Sequence, residues 1–442
     1  MFAGYNNIMK IPELRNRILF TIALLGVYRV GIFVPVPGID RSALARFFET
    51  GAQGTFFGIY DMFSGGALEQ FSVFTLGIMP YITASIIIQL LTIVVPSLER
   101  LSKEGETGRR KITQYTRYGT MLIACVQSYA ISFGLETMRV SAGQSIVVEP
   151  GLSFRLLAMV TLCAGTAFIM WLGEQIHERG IGNGISLIIF AGIVARFPVA
   201  VSNMFSNIST GETRAISLLF FAAFALVVIA VTIFCEKGER RIPVQYAKRV
   251  VGRKVYGGQT AHLPLKLNTS GVIPPIFASS LMVFPATVGT FVGVERFPLL
   301  ATFTNMLSPD TLIYNVLYVS MIVFFCYFYT AVAFNPDDVA ENMKKYNGFI
   351  PGIRPGKKTA EYINWILTRI TLGGALYLSA VCVLPTFLMV EFGVPFYFGG
   401  TSLLIVVGVA LDTVAQIDSH LLTREYETLM VSKGGRLPGR RR

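Results

Sequence analysis

The chain has 442 residues, of which 53% are hydrophobic and only 14% charged, with a mean hydropathy of +0.58 and a formal net charge of +12. Soluble domains carry about 25% charged residues, so a soluble globular protein is excluded. Long continuous apolar runs rich in Leu, Ile, Ala and Phe recur. A membrane β-barrel would show short alternating segments instead, and the composition is that of a polytopic α-helical membrane protein.

The first apolar run starts near Ile18, behind Lys10, Arg15 and Arg17. No small-residue cleavage site follows and Arg29 interrupts the run, so it reads as a retained helix rather than a signal peptide. Gly54–Gln70 comes next and is too polar and glycine-rich to face lipid, with Asp61, Gly65, Gly66, Glu69 and Gln70. It nevertheless carries Phe56, Phe57, Met62 and Phe63 as apolar surface to bury. The second run opens directly behind it, with Pro80 between Ile78 and Ile82. Ten spans are predicted in all, at about 18–36, 74–95, 117–137, 153–173, 184–204, 214–235, 270–292, 311–334, 362–390 and 399–418. The five cysteines, Cys125, Cys163, Cys235, Cys326 and Cys382, lie in or at the ends of these runs without metal or redox spacing, and read as small packing residues.

An even number of spans puts both termini on one side of the membrane. Segments on that side hold 29 Lys and Arg against four on the other, so both termini are predicted to be cytoplasmic. Topology alone accounts for clusters of two or three basic residues. It does not account for the length of 236–269 and 335–361, where basic residues mix with Gly, Pro and Tyr. Long loops are usually functional, and basic ones suit an acidic protein, ribosomal RNA or anionic headgroups.

No phosphate-cradling G-x-x-x-x-G-K-[ST] loop, no HExxH pair and no G-x-S-x-G elbow occurs. His177, His262 and His420 lie far apart near predicted cytoplasmic ends, and read as surface polar residues. Neither an enzyme nor a cofactor is expected. The intramembrane ionisable candidates are Arg29, Arg369 and Asp412, each near enough to a span end to snorkel or pair. No span carries carboxylates spaced as a relay. On the residues alone a secondary solute transporter stays open, without a coupling site.

Two stretches, LGIMPYITASIIIQLL (76–91) and WLGEQIHERGIGNGISLIIFAGI (171–193), closely resemble the signature segments of the SecY family, the channel-forming subunits of the bacterial Sec protein translocase. The resemblance continues through VPVPGID (34–40), EGETGRRKITQYTRYGT (104–120), AHLPLK (261–266), GVIPPIFASS (271–280), FNPDDVAENMKK (334–345), PGIRPGKKTAEY (351–362) and VPFYFGGTSLLIVV (394–407). It covers essentially the whole chain, with minor departures such as Pro275 and the outer loop 295–309.

What the resemblance implies is an all-α membrane channel of ten transmembrane helices, in two pseudo-symmetric five-helix halves (1–205 and 206–442) around a central pore. A re-entrant plug helix over about 54–72 would close the pore, with Phe57, Met62, Phe63, Gly65 and Gly66 in it. Ile78, Ile82, Ile185, Ile189, Ile276 and Ile405 match an apolar constriction ring. Such a ring of χ1-restricted side chains dewets, and so blocks ions while letting an extended peptide through. Thr83, Gln89, Pro274, Pro275 and Phe284 match a lateral gate to lipid; the plain alternative is that the prolines break a helix start and the polar residues bond a neighbouring helix. Arg240, Arg241, Arg253, Lys254 and Arg354 would dock a SecA motor ATPase or a translating ribosome. SecE and SecG subunits, signal peptides, nascent chains and membrane lipids complete the implied partners, and the bacterial inner membrane is the implied location. A membrane insertase without a through-pore is disfavoured by the match of ring and plug.

Overall fold

A computed structural model of the chain describes residues 11–51, 61, 64–137, 145–209, 215–246, 249–251, 254–256, 260–292, 311–392 and 400–434. The chain divides into two compact units, Met1–Val199 with Ala286–Ala301 and Val409–Arg442, and Ala200–Pro285 with Thr302–Gly408. A helix lies at each of the ten predicted spans. Among the described residues five of these are, on length and apolarity alone, long enough to cross a membrane outright.

In the first unit, α1 (Pro12–Gly31) is followed by α2 (Arg41–Gly51), α3 (Met79–Val94), α4 (Pro96–Lys103), α5 (Glu106–Thr137) and α6 (Leu152–Arg179). α3 packs on α5, α5 on α6, and α1 on α6. Pro96 has no N–H to continue α3, and α4 leaves at a 100° bend. The α5–α6 pair is tied by charges at both ends: Arg117 reaches Glu174 with two 2.8 Å bonds, and Arg155 reaches Glu136 at 2.8 and 2.5 Å. α7 (Gly184–Ser209) turns back on α6 through GIGNG. That turn is so close that a Cβ at Gly184 would overlap the Gly173 carbonyl, and Gly182 takes φ +88°. The Ile181 N–H donates to Thr21 Oγ1 (3.1 Å) and the Gly182 N–H to Gln416 Oε1 (2.9 Å).

Two helices end or begin away from the predicted spans that marked them. The first ends at Gly31 rather than near 36, because Pro35 and Pro37 cannot extend it. The freed backbone pairs with the segment before α3: the Val73 N–H donates to the Val34 carbonyl and the Val36 N–H to the Phe71 carbonyl, both at 2.9 Å. The second helix begins at Met79 rather than near 74, so Pro80 stands in its first turn, where no intrahelical N–H is required. Residues 65–78 form turns instead, with Phe71 (φ +41°) and Gly77 (φ +54°) in left-handed conformations.

In the second unit, α8 (Ala215–Lys237), α10 (Leu312–Ala333) and α11 (Pro336–Lys345) each pack on α12 (Lys357–Phe392). Between α8 and α9 (Ile273–Val292) run β1 (Glu239–Tyr246), β2 (Arg249–Val251), β3 (Lys254–Tyr256) and β4 (Thr260–Lys266), and β5 (Gly348–Phe349) follows α11. The two basic segments are therefore not separate extended loops. They share one antiparallel sheet of order β4-β1-β5, with Glu239 opposite Lys266 and Gln245 opposite Phe349. Ile242 and Val244 on one face of β1 bury against Leu265, Met343, Ile350, Ile363 and Ile366. β5 pairs only with the last two residues of β1, so Pro243 costs no bond on that side. The last helix is α13 (Gly400–Gly434); it, the end of α7 and the end of α9 are divided between the two units.

Candidate functional site

The turn segment that precedes α3 is held from several sides within the first unit. Phe57, Met62 and Phe63, together with the rest of 52–60, lie outside the described residues. Asp61 is buried, and its Oδ1 accepts the Leu68 and Glu69 N–H groups at 3.0 Å each. Its Oδ2 lies 2.5 Å from the Arg196 guanidinium of α7, which also pairs with Glu69. From α1, the Tyr28 hydroxyl donates to the Ser64 carbonyl (3.1 Å) and Arg29 Nη1 to the Gly65 carbonyl (2.9 Å).

Gly65 and Gly66 have φ of +70° and +91°, in the region that favours glycine. A Cβ on Gly65 would stand 2.8 Å from the Gly192 Cα of α7, and one on Gly66 3.2 Å from Arg196 Nε. Further along, Phe74 stacks between Tyr28 (5.9 Å) and Phe168 (6.0 Å), on a surface where a Cβ at Gly31 would overlap its ring. Irregular backbone of this kind is tolerated at membrane depth only inside protein or against water.

Four of the isoleucines matched to the ring lie in the first unit. Ile78 caps α3 and its carbonyl accepts the Ile82 N–H at 3.1 Å, so the two are stacked through the first turn; both are buried. Ile185 and Ile189 stand one turn apart on α7, half-buried and buried. Ile276 and Ile405, in α9 and α13, belong to the second unit and are buried. Of the gate candidates, Thr83 is buried and its hydroxyl bonds its own helix at the Met79 carbonyl (3.1 Å), while Gln89 is half-buried. Pro274 and Pro275 occupy the first turn of α9, which is the plain alternative raised above, and the Phe284 side chain is outside the described residues.

On the folded basic segments Arg240, Arg241 and Arg354 are exposed. Arg241 pairs with Glu239 at 2.6 Å. Arg354 stands in the turn before α12, its carbonyl accepting the Thr359 hydroxyl at 3.1 Å. Arg253 lies outside the described residues; Lys254 starts β3, but its side chain is likewise outside them.

Sequence reasoning misses Arg196, which reads there merely as a span residue, and Tyr28. The available signal is sign: Arg196 is the one charge in α7, and the segment before α3 brings Asp61 and Glu69. Arg29 does stand out in the sequence, but as a residue able to snorkel rather than as a clamp on Gly65. Arg369 instead stacks on Trp365, 3.8 Å from the ring centroid. Cys125 and Cys163, unremarkable in their spacing, meet across α5 and α6 with sulfurs 3.3 Å apart. Among the described residues no three His, Cys, Asp or Glu side chains gather to hold a metal ion.

A family model described as SecY matches residues 72–414. The chain belongs to the SecY family. The protein translocase subunit SecY of Escherichia coli K12 is 52% identical over 421 residues, covering 95% of this chain and 94% of that one. The SecY subunit of Aquifex aeolicus is 46% identical over 422 residues, covering 95% and 97%. A solved structure described as a protein conducting channel superposes with a TM-score of 0.62 at 16% identity, covering 91% of each chain. Sec61 from a canine ribosome–channel complex superposes at 0.58 and 15%, again covering 91% of each. At those identities the likeness is one of fold, and it is the SecY channel fold.

Proposed function

We propose that this chain is the channel-forming subunit of a protein translocase, moving unfolded signal-bearing polypeptides across a membrane and releasing transmembrane segments sideways into lipid. One observation carries the reading: about half of the residues are identical, over 95% of the chain, to protein translocase subunits. The turn segment seated among α1, α6 and α7 adds to it, because a movable seal must be protein-lined and only partly regular. In this reading Asp61–Gln70 belongs to the plug. The six isoleucines form the constriction, and Thr83, Gln89, Pro274, Pro275 and Phe284 line the lateral exit, with the chain divided into functional halves at about residue 205.

The same reading puts the protein in the bacterial inner membrane with both termini cytoplasmic, since 29 basic residues lie on one predicted side against four on the other. The sheet built from 236–269 and 335–361 would then present Arg240, Arg241, Arg253, Lys254 and Arg354 to SecA or a ribosome. SecE and SecG would be its membrane partners. Catalysis is left to the motor.

Reconstitution with a SecA motor and a signal-bearing precursor tests this. Protease-protected precursor inside the vesicles is the expected result. Solute accumulation without precursor protection would instead make the chain a secondary transporter.

A further inference from the structure

We propose that Arg196 is a latch whose ion pairs with Asp61 and Glu69 set how often the plug segment leaves its seat. This rests on the plug reading given above. Arg196 is the only charged residue in α7, and a lone guanidinium in an apolar helix is costly unless it is paired or reaches water. Both partners come from one segment, 127 residues away at Glu69 and further at Asp61. The Asp61 carboxylate that meets the guanidinium also receives the Leu68 and Glu69 N–H groups, so one carboxylate ties the arginine to the internal fold of the segment.

The opposing face of α7 fits this arrangement. Gly192 stands one turn before Arg196, on the same side of the helix. Gly65 lies against Gly192 with no room for a Cβ, and Gly66 lies tightly under the guanidinium, both with left-handed backbone. Among the described residues the contact thus consists of glycine backbone and charge. Such a contact can be exchanged for water without exposing much apolar surface. Arg196 is a third exposed and Glu69 about half exposed, whereas Asp61 is 2% exposed. The Asp61 pair therefore dominates, and the Glu69 pair adds a smaller, salt-sensitive part.

The experiment compares closed-state conductance in planar bilayers for the full translocase carrying Arg196→Gln, Glu69→Gln, a deletion of residues 57–65, or the deletion combined with Arg196→Gln. Losing the arginine leaves Asp61 buried without its counter-charge, so Arg196→Gln should raise open-seat occupancy by at least about tenfold. Glu69→Gln should raise it about two- to fivefold. Arg196→Gln should add nothing once the segment is deleted. Higher conductance in the deletion but wild-type conductance in a stably folded Arg196→Gln would overturn the latch and leave the plug reading standing. Wild-type conductance in the deletion itself would overturn both. If Arg196→Gln does not accumulate in membranes, Glu69→Gln decides alone, and an unchanged conductance there overturns the latch.

Discussion

The same substitution, glycine to alanine, should act with opposite sign at two helix positions. In α1, a Cβ on Gly26 meets nothing within 4 Å. Gly26→Ala there only removes backbone freedom from a helix interior, and should stabilise by about 0.8–1 kcal/mol. In α6, a Cβ on Gly165 would overlap the Val73 carbonyl oxygen and lie 2.8 Å from both the carbonyl carbon and Cγ1 of Val73. That neighbour is backbone, and it is held by the bond from the Val73 N–H to Val34. An apolar recess of about 250 Å³, lined by Gly31, Val34, Val73, Phe74, Ala164, Gly165 and Phe168, lies alongside and gives the turn some room to retreat. The expected cost of Gly165→Ala is therefore that of ordinary overpacking, about 1–3 kcal/mol, rather than loss of the fold. Reversible denaturant titration of the two purified variants in detergent micelles measures both. The two midpoints should move apart on either side of wild type. If both alanines stabilise equally, Val73 is not seated on Gly165 and the interlock is wrong.

Replacing Ile82 and Ile276 together by Asn should hydrate the proposed constriction, raising closed-state conductance and loosening signal-peptide selectivity; unchanged conductance with normal assembly counts against the ring. Arg354→Glu should depress SecA-driven precursor transport more than Arg354→Lys, because lysine keeps the charge and loses only the planar fork. Transport unaffected at every salt concentration would remove Arg354 from docking. Asp40 accepts from the Ser42 hydroxyl at 2.7 Å and the Ser42 N–H at 2.9 Å at the start of α2, and those bonds hold its carboxyl below the usual range. A lowered folded-state pKa means the contribution is complete above the unfolded value, near 3.9, and is lost as pH falls through the folded one. Asp40→Ala should therefore weaken amide-exchange protection at the start of α2 at pH 7, and the difference from wild type should vanish in strong acid.

The long apolar helices were legible because lipid demands long uninterrupted apolar runs, and these fix their positions even when ends are blurred. The ends were less so. Apolar residues 73–78 extend the run before α3 without being helical, since Pro80 sets the first turn and Gly77 needs φ +54°. Pairing between 34–36 and 71–73 could not be read locally at all. The sheet was hidden for a different reason. β1 reads ERRIPVQY, with only Ile242 and Val244 alternating among charges and a proline, and its partner β5 is two residues long and lies far along the chain. The glycines of 171–193 stood out within a signature segment and Gly65 and Gly66 as part of a polar stretch, but their meaning is steric: one set lets α7 turn onto α6, the other lets backbone lie against Gly192 and Arg196. Arg196 itself was invisible as a functional residue because its partners are more than a hundred positions away, and charge pairing at that separation leaves no local pattern.

The segment before α3 is held at its two ends by different physics. Among the described residues of 61–69 the contacts are mostly polar, namely ion pairs, backbone carbonyls receiving Tyr28 and Arg29, and glycine backbone against α7, with Ala67 and Leu68 buried beside them. Each of these polar groups has an equivalent partner in water, so the net cost of releasing them is a small fraction of the gross interaction. At 71–78 the contacts are steric: Phe71, Phe74, Leu76 and Ile78 are buried, with Phe74 over Gly31 and Val73 against Gly165. Water cannot replace them, and exposing those side chains would cost about 25 cal/mol for every Å² of apolar surface. Between the two lies Phe71 with φ +41°, a conformation that an aromatic residue keeps only when its surroundings enforce it. The polar end is therefore the one that can come away while the apolar end stays anchored to α1, α6 and the start of α3. A latch at Arg196 controls that end alone, which is why charge there should alter leak without unseating Ile78 or Ile82.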